Sequence, residues 1–309
     1  MSAHAESSRL RATPVLAVGV LAIGFAAPLI RLAAPTPPLV LAGLRLAIAA
    51  GLLLPFTLRA IRSRRLDARA LRLGALGGLA YALHFGAWVR SLELTSVAAS
   101  VTIVTSTPLM LAIVALITGR DRPTRRHWLA IALGVLGLSV LSAHGLDAGA
   151  GTDELWGDTL AFLGAVAVVF YLLLVRRLGP NLPTMAFLGV PCGVGATALL
   201  GAAYVTHLPI EAASPRALMF ITLAALVPQL IGHGALTYSL GSLRPTVVGM
   251  ATVGEPVVAT LLAFLFLGEG LDALTAIGCA ITLGGVLLAL SPNQPAKSDK
   301  PVRKRSKIP

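Results

Sequence analysis

Charge is what this chain has least of. Lys, Arg, Asp and Glu together make up 12% of its 309 residues, against roughly 25% in soluble domains. With 56% hydrophobic residues and a mean hydropathy of +0.84, that deficit excludes intrinsic disorder and a water-soluble enzyme. Lysine is missing from the whole body of the chain: all four (Lys297, Lys300, Lys304, Lys307) lie in the last residues. No GxxxxGK[ST] phosphate loop and no Schiff-base lysine can therefore be built in the apolar part, so the chain alone cannot drive transport with ATP. Cysteine is equally sparse. Cys192 and Cys279 each sit inside an apolar stretch, which gives neither a disulfide framework nor a cysteine metal site. No HExxH, no Ser/His/Asp constellation and no paired carboxylates occur within apolar segments, so nothing supports an intramembrane hydrolase, and no cofactor or metal is called for.

What the chain has in abundance is long apolar runs. A spanning helix needs about 20 mostly apolar residues. On that measure an all-α polytopic membrane protein of about ten transmembrane helices is predicted, over 13–33, 38–58, 70–89, 96–118, 126–144, 157–176, 184–206, 216–240, 245–268 and 271–290. Pro35-Thr36-Pro37-Pro38, Gly179-Pro180-Asn181-Leu182-Pro183 and Ser214-Pro215 are turn signals between runs. With the N-terminus inside, the cytoplasmic segments hold every basic residue except Arg31, Arg45, Arg90 and Arg216. The outer segments collect acids such as Glu93, Asp153, Glu154, Asp158, Glu211 and Glu269. This positive-inside pattern places both termini in the cytoplasm. The net charge of +12 is then a topology signal and not a nucleic-acid footprint. The Pro/Lys/Arg/Ser-rich tail reads as a disordered, solvated anchor.

A shift of 148 residues lays one half of the chain on the other. Pro35-Thr36 falls on Pro183-Thr184, Gly86-Ala87 on Gly234-Ala235, Ser91-Leu92 on Ser239-Leu240, Pro108 on Pro256, Asp121 on Glu269 and Gly137 on Gly285. Five spans per copy is an odd number, so the copies lie in opposite membrane orientation, an arrangement typical of secondary transporters. The expected organisation is a cytoplasmic N-terminal segment (1–12), a first five-helix repeat (13–144), an outer linker (145–156), a second repeat (157–290) and the basic tail (291–309).

With ten spans, two five-span copies, and Gly254-Glu255-Pro256-Val257-Val258-Ala259 followed by Leu267-Gly268-Glu269, the chain resembles the EamA-like branch of the drug/metabolite transporter superfamily over roughly 13–290. The resemblance implies a multi-pass carrier of the bacterial inner membrane, often an exporter of amino acids, metabolites or drugs. The first copy departs from the motif, with Thr107-Pro108 for Glu-Pro.

Several residues are candidates for the transport pathway. Glu255 lies ten residues past Pro245, about 15 Å deep in a ~30 Å core. An ionised carboxylate there costs roughly 2.5–3.5 kcal/mol, so desolvation favours the protonated form and makes it a proton acceptor. Pro256 frees the carbonyl of Thr252 beside it. The alternative is a protonated glutamate that ties the bundle together. Arg45, inside the second span, can clamp a substrate carboxylate, snorkel outward, or pair with an acid. Tyr81, His84, Phe85 and Trp88 form one stripe on the third span. They would line a cavity, although Trp88 equally suits an interfacial belt. His233 and Tyr238 occupy the matching helix of the second copy, where Gln229 is expected to bond the backbone that Pro228 frees. Pro28, Pro108 and Pro256 are candidate hinges, and the fifth and tenth spans read as scaffold.

These features favour a proton-coupled secondary transporter working by alternating access, exporting small metabolites such as amino acids or drugs. The partners are the lipid bilayer, a small-molecule substrate and protons. A facilitative uniporter or exchanger and a non-transporting membrane scaffold are the rivals, and a homodimer is left open because no interface follows from the residues.

Overall fold

The computed structural model describes residues 3–95, 100, 103–119, 123–142, 152–267 and 273–291, and every regular element among them is a helix. The basic tail past Ser291, residues 145–151, Asp121 and the Gly268-Glu269 end of the motif lie outside the described residues. The first half carries α1 (Ala3–Gly24), α2 (Ala26–Leu32), α3 (Pro38–Arg62), α4 (Ala68–Leu94), α5 (Thr107–Thr118) and α6 (Arg125–Ser142). The second carries α7 (Thr152–Arg176), α8 (Thr184–Val205), α9 (Pro215–Ala224), a π-helical segment (Ala225–His233), α10 (Gly234–Ser239), α11 (Pro245–Thr252), α12 (Glu255–Leu267) and α13 (Ala273–Leu290). Pro38, Pro215 and Pro245 each open a helix, where the missing N–H would have had no intrahelical partner. The Asp67 and Ser214 side chains accept from the backbone N–H of Ala70 (2.7 Å) and Ala217 (3.1 Å) and cap α4 and α9.

Seven described segments are long and apolar enough to cross a membrane: Arg11–Leu32, Pro38–Arg62, Thr152–Arg176, Thr184–Val205, Pro215–Ser239, Pro245–Leu262 and Ala273–Leu290. Thr107–Thr118 is apolar but shorter. The other helical stretches fall short for visible reasons. α4 carries Arg69, Arg72, Arg90 and Glu93, and α6 opens with Arg125, Arg126 and His127. Two boundaries differ from the sequence reading. α1 runs back to Ala3, into the expected N-terminal segment, and α7 begins at Thr152, inside the expected linker.

The outward faces are apolar, with Phe56 60% and Ile117 79% exposed. Surfaces of this kind suit hydrocarbon and not water. Inside, small residues let backbones approach. α3 packs on α8 and α6 on α13, each pair running antiparallel. A Cβ on Gly43 would lie 2.6 Å from Leu200, one on Gly189 would lie 3.2 Å from Leu53, and the Thr57 hydroxyl donates to the Ala186 carbonyl at 2.8 Å. On the second pair, a Cβ on Gly137 would meet the Thr282 nitrogen at 2.6 Å, and one on Gly285 would meet the Gly134 nitrogen at 2.9 Å. Gly137 with Thr282 becomes Gly285 with Gly134 when the two halves are exchanged in the 148-residue register. α4 against α7 and the π segment against α1 form another exchanged pair. At the arginine-rich end, guanidinium groups cap late-helix carbonyls: Arg126 donates to Leu288 (2.7 Å), Arg176 to Leu240 (2.9 Å) and Arg69 to Arg177 (3.2 Å).

Candidate functional site

Among the described residues, four interruptions of regular helix surround the centre of the bundle, and each has a local cause. α1 gives way to α2 at Phe25, one turn before Pro28, because Pro28 has no N–H to donate to the Gly24 carbonyl and its ring crowds that oxygen. α5 starts after a turn at Thr105-Ser106, and Pro108 leaves the Val104 carbonyl without its usual N–H; the Thr107 hydroxyl donates to that carbonyl at 2.7 Å. α11 and α12 are separated by a turn at Val253-Gly254, so Glu255 is the first residue of α12. A carboxylate there faces the positive end of a helix dipole. Pro228 lies inside the π segment, which replaces regular α-helix between α9 and α10.

These interruptions bring the candidate residues to one small cavity of about 60 Å³. Arg45, His84, Phe85, Trp88, His233, Thr107, Thr252 and Glu255 line it, together with apolar Ile23, Val104, Val168, Leu172 and Leu236. Arg45 is 2% exposed. Its Nη2 donates to the Gln229 Oε1 at 2.9 Å, and its guanidinium carbon stands 4.6 Å from the Phe85 ring centre, a cation–π contact. Its Nε and the Trp88 Nε1 have no protein partner among the described residues. His84 is held by a 2.9 Å bond between its Nδ1 and the Gly164 carbonyl, and its ring lies parallel to Trp88 at 6.2 Å. His233 meets Phe85 and Tyr81 edge-on, with ring centres 5.4 and 5.6 Å apart.

Some expected residues stand elsewhere. Tyr81 is fully buried behind the cavity wall, 4.2 Å from the ring of Tyr171, whose hydroxyl hydrogen-bonds Thr237 at 2.7 Å. Tyr238 is 44% exposed and faces an outward groove, not the cavity, because it lies one face round the helix from His233. Trp88 is buried in the site and not at an interface. Gln229 does not repair the backbone at Pro228. Its side chain accepts from Arg45 and sits 3.5 Å from the Cys192 sulfur, the π turn having swung it inward. Arg45 has no direct ion pair among the described residues. The sequence reading passed over Gln229 as a site residue, yet the 148-residue register marks it: Tyr81 falls on Gln229, Phe85 on His233, Trp88 on Leu236, Val104 on Thr252 and Thr107 on Glu255.

The constellation offers groups that bind. A buried guanidinium with a spare donor and a carboxyl group share a small space walled by aromatic and aliphatic side chains. A small molecule with an anionic and a cationic or proton-donating group could satisfy both.

Comparison with known proteins agrees with this architecture. No curated protein matches the sequence. A solved crystal structure of a protein aligns with a TM-score of 0.72 at 20% identity, over 90% of this chain and 97% of that one, a likeness in fold alone. The model of the EamA-like transporter family matches twice, over residues 11–143 and 155–291. The chain is a multi-pass membrane protein that belongs to the EamA-like transporter family, whose members carry small molecules.

Proposed function

We propose that this chain is a secondary transporter working by alternating access, with ten spans in two inverted five-helix copies. Its cargo would be a small metabolite with both an anionic and a cationic group, such as an amino acid, exported in exchange for protons bound at Glu255. The membrane would be a bacterial inner membrane, with both termini in the cytoplasm where the arginines gather. The antiparallel pairing of α3 with α8 and of α6 with α13 supports inversion. These pairs join corresponding helices of the two copies, and a two-fold axis parallel to the helices would have left them parallel.

One observation carries the functional reading: Arg45 and Glu255 line the same cavity without bonding each other. A buried cation and a half-buried acid left apart are costly unless something bridges them or the acid is neutralised. A zwitterion can bridge them. In its absence, a proton on Glu255 removes the negative charge, and the protonated acid can donate to the carbonyl that Pro256 frees, as the Thr107 hydroxyl does for Val104. Substrate and proton thereby compete for one group, which is the requirement for exchange.

The test is purified protein in vesicles loaded with a pH-sensitive dye, offered amino acids and organic cations in turn. Substrate-driven proton flux that disappears in Glu255→Gln is the expected result. Solute movement without any pH change would make the protein a facilitator, and no movement across the panel would overturn the transport of such cargo.

A further inference from the structure

Two apolar grooves open sideways between helices, away from the central cavity. One, of about 1200 Å³, lies where α1, the end of α3, the start of α8 and α10 meet. The other, of about 800 Å³, lies between the start of α3, α4, α7 and the end of α8. They are counterparts. Leu83, Gly86, Ala87 and Arg90 line the second, and 148 residues on, Ile231, Gly234, Ala235 and Tyr238 line the first. The same gap is thus presented at opposite ends of the bundle, once towards each leaflet. Leu83 and Ile231 are 51% and 48% exposed, and at membrane depth such side chains are covered by hydrocarbon tails.

The polar mouths of the two grooves differ. At the α4 groove, Arg90 is ion-paired with Glu93, so the mouth has no net charge. At the α10 groove, Arg59 and Arg65 stand exposed at the end of α3, no acid lines the groove, and neither guanidinium has a side-chain partner among the described residues. By the proposed topology this mouth lies at the cytoplasmic surface, at the depth of lipid phosphates.

We propose that the α10 groove holds an acyl chain of an anionic phospholipid whose phosphate sits between Arg59 and Arg65. A phosphodiester offers acceptor oxygens that a guanidinium fork meets bidentately. The tail covers the outward faces of Phe56 and Ile231. A phosphatidylcholine headgroup brings the same phosphate with a quaternary ammonium that two unpaired arginines repel, so the site discriminates by charge. The α4 groove, with its cation already neutralised, takes an acyl chain without regard to headgroup. This inference goes beyond transport and its test does not use transport, so either can fail alone.

The experiment places the photo-crosslinker p-benzoylphenylalanine at Ile231 or at Leu83 in the full-length protein. Each variant is reconstituted in vesicles of equimolar dioleoyl phosphatidylglycerol and dioleoyl phosphatidylcholine, and the lipid adducts are read by intact mass. Equal composition in both leaflets makes the result independent of insertion direction. At Ile231 the phosphatidylglycerol adduct should exceed the phosphatidylcholine adduct by about fivefold or more, the effect expected for one arginine at an anionic lipid, and at Leu83 the ratio should be near one. Arg59→Gln with Arg65→Gln should bring the Ile231 ratio close to one. Arg62→Gln with Arg64→Gln, which removes the same charge from the same end of α3 outside the groove, should leave it unchanged. The proposal is overturned if the ratios at Ile231 and Leu83 match, if the two double variants act alike, or if Ile231 yields no lipid adduct while Leu83 does.

Discussion

The two copies of the repeat bring unlike chemistry to one cavity. The first supplies the cation: Arg45 on α3, whose counterpart in the second copy is Gly193. The second supplies the acid: Glu255, whose counterpart is Thr107. Both copies keep the interrupted helix and the proline that follows it, so the backbone device is shared while the side chains have diverged. A duplicated scaffold gives the geometry twice, and a charge pair needs each charge only once. Two arginines or two glutamates facing one another in so small a cavity would repel, so the asymmetry is what electrostatics favours in two copies that share a site.

The largest expected effect comes from erasing the difference. Glu255→Gln should reduce substrate-driven proton flux in vesicles to the level of protein-free controls. The exchange Thr107→Glu with Glu255→Thr moves the acid to the other copy. Flux recovered in the exchange would mean that the cavity needs one acid and not a particular copy, and continued silence would mean that position matters. Arg45→Lys comes next. The charge stays but the planar fork bonded to Gln229 is lost, and half-saturation by substrate should rise about tenfold, read from the concentration dependence of flux.

Smaller effects test what the copies share. Gly137→Val and Gly285→Val sit at equivalent points of the α6–α13 contact, and each should destabilise the protein by about 1–3 kcal/mol through overpacking, measured by denaturant unfolding in detergent. Gly284→Ala, which meets open space, should stay within about 0.5 kcal/mol of the parent. Unequal losses at Gly137 and Gly285 would break the equivalence. Thr107→Val removes the hydroxyl bonded to Val104 and should cost about 1 kcal/mol in the same unfolding measurement, less than either valine at the α6–α13 contact.

The helical class and the repeat were legible in the sequence because they rest on one-dimensional signals: run length and a constant register. His84, Phe85 and Trp88 were legible as a stripe, since 3.6-residue periodicity places them on one face. What the sequence did not disclose depends on local departures from that periodicity. The π turn around Pro228 rotates Gln229 onto Arg45, and no spacing rule for regular helices anticipates it. Tyr238 illustrates the converse: it follows His233 closely along the chain but lies beyond the turn, on the outward face. Whether Trp88 belonged to a belt or a cavity depended on what packs over it, and that is supplied by α7, a segment distant in the chain.

The antiparallel α3–α8 and α6–α13 contacts have a consequence for anyone following the protein in motion. If the inward-open and outward-open forms arise by the two copies trading shapes, the distance between any residue and its counterpart 148 positions on is the same in both forms, because the trade merely swaps the ends of the ruler. Ala47 with Gly195 and Val135 with Leu283 are such pairs, set in the middle of the two contacts. Labels placed there are stationary landmarks, and a pair such as Leu83 with Phe56, which has no such reciprocity, becomes the moving hand of the clock.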